Sequence, residues 1–306
     1  MKKILIVTIT LILNIGVFAQ QDPMFSQYMF NYMIINPAYA GSRDVLSLSS
    51  LYRKQWVNVD GAPQSMFFSA DMPIKNEKIG VGLMALNDKV GIENSTTVSG
   101  MGSYRIRLDN NLLLSFGLSA STNFYKANFT SLESAKTLDP SLSTNTFSKW
   151  QFNFGSGVYL NNDRFYVSLS LPHLVNNKRI ATDTLTKTKQ RRHFFLGAGY
   201  VFKVSETWAF KPSFLYKYAQ GAPMQLDLNG NFWYANLIGF GLSYRTGDSF
   251  VPIVEINPTE QLRIGYAYDY TYNLKKNGLS NGGTHEVFLR YEFGKTDKKI
   301  VTPRYF

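Results

Sequence analysis

From about residue 45 onward the chain alternates apolar with polar or small residues, each time over about ten positions. A period of two places successive side chains on opposite faces, so these stretches read as β-strands. In the clearest one, Leu112, Leu114, Phe116, Leu118, Ala120, Thr122 and Phe124 face one way, against Ser115, Gly117, Ser119, Ser121 and Asn123. Trp150, Phe152, Phe154, Val158 and Leu160 repeat the pattern against Gln151, Asn153, Gly155 and Gly157. Phe194, Leu196, Ala198, Tyr200 and Phe202 alternate with Gly197 and Gly199. Leu262, Ile264, Tyr266, Tyr268, Tyr270 and Tyr272 alternate with Arg263, Gly265, Ala267, Asp269 and Thr271.

The pattern predicts fourteen strands, near residues 45–55, 64–72, 79–87, 95–108, 112–125, 149–160, 164–172, 191–204, 207–218, 224–234, 237–246, 249–256, 261–272 and 284–293. Tight turns fall at Asp109-Asn110-Asn111, Asn161-Asn162-Asp163, Ser205-Glu206-Thr207, Tyr234-Ala235-Asn236 and Asn257-Pro258-Thr259-Glu260. Between them lie longer connections at 126–148, 173–190, 219–223 and 273–283. Short turns on one side and long loops on the other mark a membrane barrel, with the short side and both chain ends in the periplasm. A soluble sandwich would either strand Arg263 and Asp269 in its core or expose the Leu and Tyr row to water. A barrel removes both conflicts, with lipid on the oily row and a hydrated lumen on the polar one. The fold class is therefore all-β, a transmembrane antiparallel β-barrel of the outer membrane.

The start of the chain extends this picture. Lys2 and Lys3, an apolar run from Ile4 to Phe18 and Val17-Phe18-Ala19 before a polar stretch read as a secretory signal over residues 1–19. The run is short for a membrane-spanning helix, and no later stretch reaches eighteen apolar residues. Residues 20–44 then form an N-terminal segment, 45–293 the barrel and 294–306 a short basic tail. With no cysteine there are no disulfides and no acceptor for lipid attachment at the new N-terminus.

Of the 32 basic residues two leave with the signal, so the mature chain carries 30 against 21 acidic ones, a formal charge of +9. The basic residues are spread along the chain, and an exported protein does not meet nucleic acid routinely. Outer-membrane lipid and lipopolysaccharide, or an acidic extracellular partner, are the fitting counterparts. Aromatics make up 15% of the chain, as an interfacial girdle requires. The mean hydropathy of −0.16 fits strands with one wet face.

Candidate chemistry is sparse. His173, His193 and His285 lie far apart, and His285 and Glu286, as strand neighbours, point to opposite faces. Serine and aspartate are plentiful, but abundance is not a triad. The period-two glycines Gly80, Gly82, Gly197, Gly199, Gly239 and Gly241 suit crowding or curvature rather than phosphate binding. No enzymatic activity, metal or cofactor is expected.

The segment Gln21-Asp22-Pro23-Met24-Phe25-Ser26-Gln27-Tyr28-Met29-Phe30-Asn31, followed by Ile35-Asn36-Pro37-Ala38-Tyr39-Ala40-Gly41-Ser42, resembles the N-terminal signature of the PorP/SprF family of type IX secretion. Arg53-Lys54-Gln55-Trp56, Gly61-Ala62-Pro63-Gln64, Tyr268-Asp269-Tyr270-Thr271, Gly283-Thr284-His285-Glu286 and the ending Pro303-Arg304-Tyr305-Phe306 are similar to the family as well. Tyr32-Met33-Ile34-Ile35 departs slightly from it. The resemblance implies an outer-membrane protein of the Bacteroidota, without enzymatic activity and paired with one large secreted protein. That partner is often a surface adhesin, its C-terminal sorting domain handled by the type IX machinery, and some members serve gliding.

Three groups are candidate partner-binding residues. Phe25, Gln27, Tyr28, Asn31, Asn36 and Tyr39 belong to a segment too apolar to float and too polar to cross lipid, which folds into the periplasmic mouth or lumen as a plug or as a docking surface. Arg53, Gln55 and Trp56 form the second group. Lys187, Lys189, Arg191 and Arg192 lie in a loop from 176 to 192 with only Asp183 opposed, read either as a lipopolysaccharide-facing loop or as a surface for an acidic partner. A passive channel or hydrophobic-solute transporter remains the alternative role, and a membrane hydrolase ranks last. Neutralising the four basic loop residues together and measuring retention of the exported protein at the cell surface decides between the two readings of the loop, the partner reading predicting a loss. Unchanged retention rejects the partner reading of that loop.

Overall fold

The computed structural model describes residues 24–74, 77–109, 111–128, 146–177, 192–272 and 283–294. The strands are β1 (Leu46–Lys54), β2 (Gln64–Ile74), β3 (Ile79–Val90), β4 (Glu93–Asp109), β5 (Leu112–Asn128), β6 (Thr146–Asn161), β7 (Phe165–Leu171), β8 (His193–Tyr200), β9 (Phe202–Lys203), β10 (Trp208–Ala219), β11 (Gln225–Tyr234), β12 (Ile238–Arg245), β13 (Ser249–Ile256), β14 (Leu262–Thr271) and β15 (Thr284–Phe293). Neighbours pair antiparallel around a ring that β15 closes on β1, from Leu46↔Phe293 to Lys54↔His285. β8 and β9 are one stave interrupted at Val201, whose N–H still donates to Arg164 O at 2.6 Å in register with the Phe165↔Tyr200 pair, and both pieces keep one register with β10. The barrel thus has fourteen staves, the eighth broken where the sequence predicts a continuous strand over 191–204.

The predicted faces are observed. Phe116 and Leu118 on β5 point outward while Ser115 is buried, and on β14 Tyr266 and Tyr270 point outward while Ala267 and Asp269 are buried. β13 alternates strictly, with Phe250, Val254 and Ile256 outside and Ser249, Val251, Ile253 and Glu255 inside. Among the described residues no helix is long and apolar enough to cross a membrane.

Two features depart from expectation. Where the pattern leaves residues 88–94 between two strands, β3 and β4 run on into a tight hairpin at Gly91-Ile92, while the two-residue gap at 247–248 is the tight hairpin it implies, Thr246 to Asp248 between β12 and β13. Each turns on a glycine with positive φ, Gly91 at 55° and Gly247 at 72°, which L side chains adopt only with strain. The lumen is also less wet than the alternation suggests. Leu51, Phe67, Tyr159, Tyr166, Leu215, Trp233 and Phe288 point inward and are buried in one cluster with residues 25–40.

The wall is uneven in height. β4 and β5 run 17 residues each whereas β7 has 7 and β8 has 8. At ~3.3 Å per residue and a tilt near 40°, the long strands rise about 43 Å along the barrel axis, well past an apolar band of about 25 Å. Leu118 stands midway along the outward apolar row of β5 and is 70% exposed. Replacing it by arginine should destabilise the lipid-embedded barrel by about 2–4 kcal/mol, measured by urea unfolding from vesicles. A change below ~0.5 kcal/mol would mean that this row does not face hydrocarbon.

Candidate functional site

Residues 24–42 lie inside the barrel, built from three 3-10 turns, Tyr28–Phe30, Tyr32–Ile34 and Pro37–Tyr39. Local chemistry sets the second and third. Asn31 accepts from Met33 N at 3.0 Å and Asn36 from Ala38 N at 2.9 Å, capping turns that start there, and Pro37 preorganises the third. The amide nitrogens of the same two asparagines donate to the wall. Asn31 reaches Ser69 Oγ at 2.8 Å, and Asn36 reaches Ser168 Oγ at 2.8 Å and Val158 O at 3.0 Å.

The wall is shaped to receive the segment. A side chain on Gly117 would collide with the backbone of Ala38, and one on Gly80 with Ala40 O, so these period-two glycines mark close approach. The segment's free carbonyls find donors at Arg290 Nη1 to Phe30 O (2.7 Å), Ser170 Oγ to Ile35 O (2.7 Å), Ser103 Oγ to Ala40 O (2.7 Å) and Arg105 Nη1 to Gly41 O (2.9 Å). Tyr32 and Tyr166 share a hydroxyl hydrogen bond of 2.8 Å, and Asn229 Nδ2 donates to Tyr28 OH at 2.8 Å. Burial raises the pKa of Tyr28 and Tyr32 well above the usual tyrosine value, helped by Asp227 at Tyr28 and by Tyr166 at Tyr32, so both phenols stay neutral.

The strongest attachment is ionic. Glu286 accepts the N–H of Ser26 (2.8 Å) and of Gln27 (2.7 Å), and Asp269 accepts Ser26 Oγ at 2.8 Å. Arg53 bridges the two carboxylates, Nη1 to Glu286 at 2.8 Å and Nη2 to Asp269 at 2.7 Å. Arg245 extends the network to Asp227 and Asp248, and Lys217 pairs with Asp227 at 2.6 Å. Three motif segments far apart in sequence, around Arg53, Asp269 and Glu286, thus meet on Ser26. A buried network of this kind is tolerable only because each charge is answered.

Of the candidate residues, Phe25, Gln27, Tyr28, Asn31, Asn36, Tyr39 and Arg53 are buried and packed within the barrel. A partner does not reach these side chains while the segment is seated. Gln55 and Trp56 are half-buried at the end of β1, where Trp56 N donates to Thr284 Oγ1 at 3.3 Å. Arg192 is exposed just before β8, and Lys187, Lys189 and Arg191 lie outside the described residues. Asp269, Glu286, Asp227, Arg245, Lys217 and Arg290 were not singled out from sequence as site residues. Their signal was a charge on the inward phase of a strand whose other phase is oily.

Above the segment, toward the side of the β5–β6 and β7–β8 connections, a cavity of about 100 Å³ is lined by Met24, Met33, Ile34, Met84, Met101 and Phe195 together with serines, asparagines and Gln151. Among the described residues no group of three His, Asp or Glu is placed to hold a metal. His285 points away from Glu286 and meets Tyr266 OH at 2.7 Å.

Closed ring, oily exterior and filled lumen define a membrane-spanning β-barrel with an internal plug. Residues 17–291 match the family of type IX secretion system membrane proteins PorP/SprF, and the chain belongs to that family. No curated protein matches. Among solved structures, the Acinetobacter baumannii outer membrane protein Omp33 aligns with TM-score 0.49 and 9% identity over 81% of this chain and 98% of that one. The CymD monoaromatic hydrocarbon channel gives 0.48 and 10% over 92% and 96%, and the KdgM porin 0.36 and 12% over 81% and 99%. At these scores the likenesses carry no weight for function.

Arg53→Ala leaves Asp269 and Glu286 buried with less than their charge answered. It should cost about 3–5 kcal/mol and expose residues 24–42 to protease in the folded barrel. A segment that stays protected in this variant would show that the ionic latch is not what holds it.

Proposed function

We propose that this protein is a non-enzymatic outer-membrane partner of the type IX secretion system that binds, helps secrete or retains at the cell surface one large exported protein. The partner is adhesin-like, engaged through its C-terminal sorting domain, and the pair could serve gliding. Residues 1–19 direct export and are removed, both chain ends lie in the periplasm, and residues 294–306 form a basic tail there.

The observation that carries this reading is the seated segment 24–42. An open pore needs a hydrated path, and here the path is filled by aromatic side chains fixed through carboxylates, amides and close-approach glycines. Such investment in a seal suits a protein whose barrel is a scaffold for binding more than a passive channel. The family supports the secretion role.

Two measurements test it. Full-length protein in a planar bilayer should show no large steady conductance, and a variant lacking residues 20–42 should. A detergent-extract pull-down should retain a very large exported protein together with secretion components. Steady openings from the intact protein, with no exported protein retained, would favour the passive channel or hydrophobic-solute transporter instead.

A further inference from the structure

β6 pairs with β5 along its whole length, from Asn161↔Leu113 to Thr146↔Asn128. With β7 it pairs only from Ser156 to Asn161. β7 stops at Leu171 because Pro172 has no N–H to continue the ladder. Among the described residues, the loop-side half of β6 therefore has a neighbouring strand on one side only, with residues 174–177 reaching it on the other at Phe154 and Phe152.

Asn153 ends the pairing. Its Oδ1 accepts from Phe154 N (2.9 Å), Leu174 N (3.0 Å) and Val175 N (2.9 Å), and its Nδ2 donates to Val175 O at 2.9 Å. Leu174 N also reaches Phe154 O at 2.8 Å, and Asn177 Nδ2 reaches Phe152 O at 3.0 Å. These bonds fix the geometry: even-numbered residues of β6 turn their peptide groups toward the gap. Beyond Phe152, the peptide groups of Trp150 and Ser148 face it with no partner among the described residues.

The same stretch has two distinct faces. Outside, Trp150, Phe152 and Phe154 are 60, 66 and 57% exposed. Trp150 packs on Phe124 at 4.9 Å, where the outward apolar row gives way to the loop side. Inside, Gln151 and Asn153 line the cavity, with Pro172 and Phe195 across the gap. Open strand edge, aromatic row and cavity are three sides of one notch in the wall.

We propose that this notch docks an extended strand of the exported partner, which adds antiparallel to β6 and continues the wall. Backbone recognition supplies the pairing, and side-chain alternation supplies selectivity. One set of the partner's side chains, apolar or amide-bearing, enters the methionine-lined cavity, and the other lies over Trp150 and Phe152. Acyl chains fill space but cannot answer peptide groups. A second copy of this barrel inserts the same way up, so its β6 would meet this one in parallel, unlike every pairing in the ring. The proposal rests on the secretion-partner reading and adds to it the place and the mode of contact.

The experiment uses the full-length protein in cells that make its partner. A photoreactive residue replaces Trp150, with Phe240 on β12 as the control position, and affinity purification reports first whether any exported protein is retained. Ser148→Pro removes an N–H aimed at the notch while sparing the β5 ladder. It should reduce retention about fivefold, the effect of one strand hydrogen bond, with heat-modifiable gel mobility confirming a folded barrel. The expected result is a crosslink to the exported protein from position 150 and not from 240. A retained partner that crosslinks equally from 240, a crosslink to lipid alone, or undiminished retention by folded Ser148→Pro overturns the notch and leaves the secretion role standing. Should Ser148→Pro fail to fold, the crosslinks decide. Absence of any exported protein in the purification removes the secretion role and the notch together.

Discussion

In hydrocarbon no water answers a backbone N–H or C=O, so a polypeptide crossing it with strands must close them into a ring. The pairing of β15 with β1 is that closure, and the rest of the architecture follows from it. A closed ring turns one residue of every two toward lipid, which explains the outward Leu118, Phe240 and Val254. It turns the others toward a confined interior, where charge can survive if it is paired. Among the described residues, the loop-side half of β6, which has no strand neighbour on its β7 side beyond Ser156, lies at the edge of the apolar row and not in its middle.

The interior poses the opposite problem. A barrel of fourteen staves leaves more space than its own inward side chains fill, and here the chain supplies the filling itself. Residues 24–42 bring aromatics to Phe67, Tyr159, Tyr166 and Phe288, and their peptide groups are answered by carboxylates, guanidinium groups and hydroxyls of the wall. Arg53 joins the first strand to the last two through Asp269 and Glu286, close to the seam where the barrel closes. Plug and closure are therefore mechanically one unit.

Much of this was legible in the chain. Alternation at Leu112 to Phe124 and Leu262 to Tyr272 states which side chains meet lipid, because period-two patterning leaves no freedom once one face is oily. The composition of residues 24–42 stated that they must be sheltered. What could not be read was the seat itself. Ser26 meets Glu286 across 260 positions, and such a contact depends on barrel closure and stagger, which local pattern does not encode. The hairpin at Gly91 was hidden because strand pairing there continues through polar residues such as Asn87, Asp88 and Asn94. The break at Val201 was hidden because the apolar alternation runs straight across it. The same closure explains why Phe25, Tyr28 and Tyr39 are inside: the aromatics that suggest a binding surface are also those that fill a lumen.

Hydrogen exchange of the protein in lipid nanodiscs, followed peptide by peptide, tests the whole account at once. The strand amides and the amides of Asn31, Ile35, Ala40 and Gly41 are expected to be protected together, because wall and filling share one hydrogen-bonded interior. Rapid exchange across residues 24–42 beside slowly exchanging strands would contradict it.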